Sequence, residues 1–328
     1  MELLVQPHGR MLQVSAGANL LNVLREHEVP VSYSCMAGRC GTCRCRVLDG
    51  EVHEAGREIK LTNPLESAYV LACRSTMIGD CTIEIPEPDE VVVHPARVFK
   101  ARVANVERLT QDVVRLRLKA NRAWSHSPGQ YAMLQFAPDL IRPYSMAGLC
   151  GDELIEFHIR LVPGGRASEH VGGSLKAGDE VRVSGPMGTA YLRTRHEGPM
   201  LCVAGGTGLA PVLSVVRGAL QAGMRNPIHL YFGVRTRADA YGLAWLDELA
   251  DRHDGLRVHL VVAAGSADAG HRSGLVTHAV AADWSGLGGW RVYLCGAPPM
   301  VEAGTFLARR LGADPEHIHA DAFYTAGT

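Results

Sequence analysis

The sequence predicts a multidomain chain of mixed class, α/β and β. A small α+β unit comes first, an antiparallel β-barrel second and a doubly wound parallel α/β unit last. Three observations predict it. Four cysteines crowd into Cys35–Cys45 near the start; short alternating strands separated by Gly/Pro turns fill the middle; and the last third alternates buried apolar strands with helical stretches. At 328 residues the chain can hold two or three cores.

The first unit, residues 1–90, opens with Leu3-Leu4-Val5 and Arg10 to Val14, read as a strand pair turning at Pro7-His8-Gly9. Asn19 is placed to cap a helix whose apolar residues Leu20, Leu21, Val23 and Leu24 recur at helical spacing to Glu28, before Pro30 stops it. Cys45 to Leu48 reads as a strand ending in a turn at Asp49-Gly50, and Tyr69 to Cys73 and Cys81 to Ile85 as further strands. Pro86-Glu87-Pro88-Asp89-Glu90 can continue neither sheet nor helix and reads as a connector, with Val91 to Pro95 as a tether along the next domain.

The second unit, 96–196, is predicted to be a closed barrel from Ala101 to Val106, Val113 to Leu118, Gln130 to Phe136, Glu156 to Leu161 and Glu180 to Val183. The third, 197–328, begins with Met200 to Ala204, followed by Gly205-Gly206-Thr207-Gly208. It repeats the strand at Ile228 to Gly233, Arg257 to Val262 and Trp290 to Gly296, with helices between.

Chemistry concentrates first in Cys35-Met36-Ala37-Gly38-Arg39-Cys40-Gly41-Thr42-Cys43, answered by Cys73. Cys-x4-Cys-x2-Cys with a distant fourth cysteine is the spacing of a plant-type [2Fe–2S] cluster. Three thiolates on one loop must converge on two irons, and Gly38 and Gly41 let amide N–H groups turn toward the sulfurs. A zinc site would need two Cys-x2-Cys pairs or a Cys/His equivalent, and only Cys40/Cys43 makes such a pair. Cys45 reads as a small buried hydrophobe, and Cys81, Cys150 and Cys202 likewise as packing residues.

The Gly205–Gly208 turn between a buried strand and a helix suits a phosphate, although it lacks the Gly-x-Gly-x-x-Gly fingerprint and glycine turns also serve plain packing. Cys295-Gly296-Ala297-Pro298 ends another strand, and ligands of open α/β sheets gather at strand carboxyl ends, so both loops are expected on one crevice. Arg142, Tyr144 and Ser145 offer a guanidinium fork, an aromatic ring and a hydroxyl. Alone, the same tetrapeptide reads as a surface turn, and His158 as a packed or solvent-facing histidine.

These motifs in this order resemble the ferredoxin–NAD(P)H reductase superfamily, and within it the reductase components of naphthalene-type aromatic-ring-hydroxylating dioxygenases. The likeness spans essentially the whole chain. It rests on the sequence around Cys35, His94-Pro95-Ala96-Arg97, Ser127-Pro128-Gly129-Gln130-Tyr131-Ala132, Arg142-Pro143-Tyr144-Ser145, Gly206 to Ser214, Tyr231 to Arg235 and Leu294 to Pro298. The resemblance implies a ferredoxin-like β-grasp [2Fe–2S] domain, a flavin β-barrel and a nucleotide domain. It makes Cys35, Cys40, Cys43 and Cys73 the cluster ligands, and Arg142, Tyr144 and Ser145 the FAD motif, with Ser145 near the reacting nitrogen. It assigns Gly164, Gly165 and Ser168 to the flavin pyrophosphate, Gly206, Thr207 and Gly208 to the pyridine nucleotide phosphates, and Cys295 and Gly296 to the nicotinamide. Phe323 becomes the aromatic shielding the flavin.

The implied activity is electron transfer from NADH to a Rieske-type ferredoxin or a terminal oxygenase through FAD and the cluster. A free-standing flavin or quinone reductase and a non-catalytic [2Fe–2S] carrier are the alternatives. Arg235 and Arg237 follow the second strand where the adenosine ribose would lie, so NADPH is open as well. Charge is balanced, with 33 Lys+Arg against 34 Asp+Glu, which argues against a nucleic-acid partner. With no apolar run of membrane-spanning length, no basic leader and an odd cysteine count, a soluble cytoplasmic monomer is expected.

Overall fold

The computed structural model describes residues 1–29, 31, 38, 43–61, 68–85, 92, 94–264 and 271–324. Cys35 and Cys40, with Pro30 and the connector 86–90, lie outside them. The chain divides into two compact units, Met1–Val91 and Val92–Thr328.

In the first unit, β1 (Glu2–Gln6) and β2 (Arg10–Gln13) pair antiparallel and α1 spans Leu20–Glu26. β3 (Arg44–Glu54), β4 (Arg57–Leu61), β5 (Ala68–Leu71) and β6 (Ser75–Glu84) complete a sheet of order β2-β1-β6-β3-β4, with β5 on β3. The apolar face of α1 closes on Leu3, Val5, Val47, Val52, Met77 and Ile83. Each such side chain, once buried, stabilises the fold by about 1.5–3 kcal/mol.

Three sequence expectations are corrected here. The helix stops at Glu26 rather than Glu28. Asp49-Gly50 is no turn but the middle of β3, where the register against β6 shifts on both sides of it; Gly50 has φ +95°, and a Cβ there would strike the Asp80 carbonyl. The chain reverses instead at Ala55-Gly56, into the unforeseen strand β4.

The second unit begins with a six-stranded antiparallel sheet: β7 (Arg97–Arg108), β8 (Val113–Ala120), β9 (Tyr131–Ala137), β10 (Leu140–Ser145), β11 (Ile155–Arg160) and β12 (Glu180–Met187), with α2 (Arg166–Gly173) between the last two. Its order is β10-β9-β12-β7-β8-β11, and a single bridge between Met146 and Phe157 spans the seam, so the barrel is nearly closed. The tetrapeptide Arg142–Ser145 is not a turn; it forms the end of β10. That strand is a sheet edge, the position that tolerates Pro143 with no N–H to give.

The rest is a parallel sheet of order β16-β15-β14-β13-β17-β18. It comprises β13 (Met200–Gly205), β14 (Ile228–Val234), β15 (Leu256–Val262), β16 (Arg272–Ser273), β17 (Arg291–Gly296) and β18 (Ile318–Ala322). The helices α3 (Leu209–Gln221) and α4 (Leu243–Arg252) cover one face; α5 (Val276–Asp283) and α6 (Pro298–Arg310) cover the other. With both faces covered, β13 is apolar throughout and β17 is buried along its whole length, apolar apart from Arg291 at its start. Strand order reverses between β13 and β17, the topological switch that opens a crevice at their carboxyl ends. Among the described residues no helix is long and apolar enough to cross a membrane.

Candidate functional site

Two of the four sequence-singled cysteines are described, and they meet. Cys73 sits in a 3-10 turn after β5, where the Ala72 N–H donates to the Cys43 carbonyl (2.9 Å) and the Cys73 N–H to Cys43 Sγ (3.4 Å). Asn19 holds this turn from the other side. Its Oδ1 caps α1 by accepting from the Asn22 N–H (3.2 Å), while its Nδ2 donates to the carbonyls of Cys73 (3.1 Å) and Ser75 (3.3 Å). An amide aimed at a sulfur stabilises the thiolate form, which suits a metal ligand. Cys45 and Cys81 differ: burial pushes both thiols up, Cys81 to about 12, as expected of packing residues. Among the described residues no three metal-binding side chains come together, Cys35 and Cys40 lying outside them. The donors present fit an iron–sulfur group.

In the second unit, three elements distant in sequence converge. Ser145 at the end of β10 donates from Oγ to Asp321 Oδ2 (3.0 Å) on β18. Asp321 stands opposite Cys295 in the β17–β18 ladder, and the Phe323 N–H donates to the Gly296 carbonyl (2.8 Å). Burial raises the Asp321 carboxyl to about 6 against the Ser145 hydrogen bond, and burial with the neighbouring Asp321 holds the Cys295 thiol well above its usual range. Asp321 was not singled out in the sequence, and the strand that carries it, β18, was not expected there.

The Gly206–Gly208 turn lies beside this group. Gly206–Gly208 form one 3-10 turn between β13 and α3, and a Cβ on Gly208 would run into the Cys295 carbonyl. Gly296, at φ +145°, would meet the Gly205 backbone within 3.1 Å if it carried one. The two glycine loops therefore touch, and only glycine permits it. The segment Met200–Ser214 has no cationic side chain. Arg160 from barrel strand β11 supplies one: a Cβ on Gly206 would lie 2.8 Å from its Nη2. Sequence reading passed over Arg160 because its target belongs to another part of the chain.

Arg142 is exposed and donates to the neighbouring Ile141 carbonyl (2.7 Å), while Tyr144 packs edge-on to Phe136, its phenol pushed up to about 12 by burial. Gly164 (φ +74°) donates its N–H to Glu169 Oε1 (2.7 Å). Ser168, within α2, accepts the Val162 N–H (3.0 Å) and lies 2.9 Å from the Gly165 carbonyl, so it shapes this loop from inside. Arg235 and Arg237 are exposed; Asp239 is turned inward, its carboxylate accepting from Thr236 N and Oγ (both 2.8 Å).

The raised Asp321 carboxyl has a consequence for stability. Its folded-state pKa of about 6 exceeds the ordinary 3.8, so the folded chain binds the extra proton between those values and loses stability as pH rises through 6. Asp321→Asn should therefore unfold later than the parent at pH 7, by about 1–3 kcal/mol, and no later at pH 3.5. Chemical denaturation at the two pH values measures this; an equal difference at both would contradict the burial account.

Known proteins share this layout. Three family profiles match: a 2Fe-2S iron-sulfur cluster binding domain over residues 3–77, an oxidoreductase FAD-binding domain over 100–191 and an oxidoreductase NAD-binding domain over 202–305. The chain is 57% identical, across the full length of both, to the ferredoxin–NAD(P)+ reductase component of a naphthalene 1,2-dioxygenase system from Pseudomonas putida. It is 35% identical to the reductase subunit of an aromatic O-demethylase from Amycolatopsis, covering 97% of each. Among solved structures, an Amycolatopsis cytochrome P450 reductase aligns at TM-score 0.75 and 33% identity, and a ferredoxin reductase of carbazole 1,9a-dioxygenase at 0.70 and 28%, each covering 98% of both chains. The chain belongs to the ferredoxin–NAD(P)+ reductase family, NAD(P)H-dependent oxidoreductases that join a [2Fe–2S] domain to FAD- and NAD-binding domains.

Proposed function

We propose that this chain carries electrons from NADH, or NADPH, to a Rieske-type ferredoxin or terminal oxygenase of a naphthalene-type ring-hydroxylating dioxygenase, as a cytoplasmic monomer. Its domains are 1–90, 96–196 and 197–328. The observation that carries the reading is the meeting of Ser145 from the barrel with Cys295 and Asp321 from the parallel sheet, at the crevice where the two glycine loops touch. When bound, FAD supplies conversion of two-electron to one-electron chemistry and the cluster a one-electron relay.

The chain's residues then divide the work. Cys35, Cys40, Cys43 and Cys73 hold the cluster. Arg142 would neutralise a flavin phosphate, and Tyr144 and Phe323 would shield the ring system, with the Gly164–Gly165 loop and Ser168 shaping the pyrophosphate seat. Gly206, Thr207 and Gly208 receive the dinucleotide phosphates with Arg160, and Arg235 lies toward the ribose. Cys295 and Gly296 wall the nicotinamide place and exclude water. Ser145, its O–H given to Asp321, would present its hydroxyl oxygen near the reacting flavin nitrogen.

Anaerobic addition of NADH, followed by visible absorption, tests this. Flavin and cluster bands should bleach together; a cluster that stays oxidised would favour a plain flavin reductase. Arg142→Ala should weaken FAD about 10- to 100-fold, the worth of a charge-assisted hydrogen bond, and leave a loaded cluster that NADH no longer reduces. Unchanged reduction would remove the flavin from the route.

A further inference from the structure

The outward face of β11 is a barrel surface that the parallel-sheet region covers. Glu156, His158 and Arg160 share that face by strand alternation, and Phe157 and Ile159 point into the barrel core. Glu156 and His158 are buried, although a polar row on an edge strand would ordinarily face water.

His158 is engaged at both ring nitrogens. Nε2 lies 3.0 Å from Glu156 Oε1, and Nδ1 3.1 Å from the Tyr241 hydroxyl. Burial holds the imidazole neutral, so Nε2–H donates to Glu156 and Nδ1 accepts from Tyr241. Glu156 also accepts from Arg115 Nη2 (2.6 Å), and these donors keep its carboxyl near 2 despite burial. Arg115 in turn lies over the Trp245 ring, 4.8 Å from its centroid, and Trp245 flanks His158.

Tyr241 is no arbitrary partner. It follows by two residues the Asp239 carboxylate that closes the Thr236 box after β14, so its hydroxyl is fixed relative to the carboxyl end of that strand. Two residues past His158, Arg160 lies against Gly206 and within 3.5 Å of Asp112 Oδ2. A space-filling residue would need no hydrogen bonds. A neutral ring satisfied on both sides, from two differently folded regions, fixes their register, since either partner left alone would be a buried, unpaired polar group.

We infer that His158 is a positioning residue for nucleotide binding: by joining β11 to the segment after β14, it sets Arg160 against the phosphate turn at Gly206. The inference rests on the proposed place of the dinucleotide phosphates.

The test is NAD+ binding to the oxidised holoprotein by calorimetry, in a double-mutant cycle of His158→Leu and Arg160→Ala, with Tyr241→Phe as a milder substitute and His158→Gln as the conservative one. Arg160→Ala should weaken NAD+ about 10-fold, as loss of a charged contact does. His158→Leu should weaken it about 3- to 10-fold and add nothing once Arg160 is gone. His158→Gln should recover most of the affinity. Should Arg160→Ala bind NAD+ like the parent, the assignment of the phosphate site fails. Should Arg160→Ala weaken binding while His158→Leu and Tyr241→Phe do not, or act additively with it, the positioning role fails and His158 is packing alone. If His158→Leu does not fold, Tyr241→Phe carries the same decision.

Discussion

Cys73→Ser should yield a protein that still oxidises NADH with a small diffusible acceptor yet has lost its iron. The hydroxyl of serine is a hard, weakly acidic donor where the site needs a thiolate. The turn that carries Cys73 is fixed by the Ala72 and Asn19 hydrogen bonds, so the serine stays where the thiolate was. The drop in iron affinity should exceed the about 10- to 100-fold that losing an outer-shell partner costs. Asn19→Ala should fall within that smaller range, because it frees the turn and uncaps α1 but removes no ligand. Iron content and the cluster's visible bands measure both. Full iron occupancy in Cys73→Ser would remove Cys73 from the ligand set. NADH oxidation should persist because the Ser145, Cys295 and Asp321 group lies on other strands.

The second large effect is expected from one methyl group. In Gly208→Ala the new Cβ falls on the carbonyl of Cys295, a backbone group held on both sides by the β13 and β18 ladders. Neither side can yield cheaply, so the 3-10 turn must lift away from β17. Overpacking of this kind costs about 1–3 kcal/mol, and the shift moves the phosphate turn and the Cys295 wall together. The KM for NADH should rise about 10- to 100-fold with flavin and iron fully loaded. Gly206→Ala makes the informative contrast. There the obstruction is the end of the Arg160 side chain, which can swing aside without moving β17, so the cost is the displaced arginine and the strain of φ +55°. A Gly208→Ala enzyme with parental KM would show that the turn does not touch nucleotide.

Much of this was legible because the signals are local. The alternation of Val113–Leu118 announced β8, the apolar runs announced β13 to β15 and β17, and Asn19 announced the start of α1. Where expectation failed, a distant partner had overridden a local rule. Asp49-Gly50 has turn chemistry, but pairing with β6 on both sides draws it through as a bulge. Pro143 masks β10, whose strand character depends on being a sheet edge. Ser145, Cys295 and Gly206 were found by motif, whereas Asp321, Arg160 and His158 were not. Each of these three acquires meaning only from a group across the fold: Ser145 for Asp321, the Gly206 turn for Arg160 and Tyr241 for His158. Alternation can say that His158 and Arg160 point out of the barrel, but not that another layer waits there.

The hydrogen bond between Ser145 and Asp321 joins residues 176 positions apart in the chain. Synthesis runs at about 5–20 residues per second, so the serine emerges roughly 10–35 s before the carboxylate that holds it. Until β18 is made, the barrel edge exists without its counterpart. The polar heart of the crevice is thus completed only once β18 has been made, and a chain cut short before Asp321 keeps the Gly206 and Gly296 loops but never closes the pair.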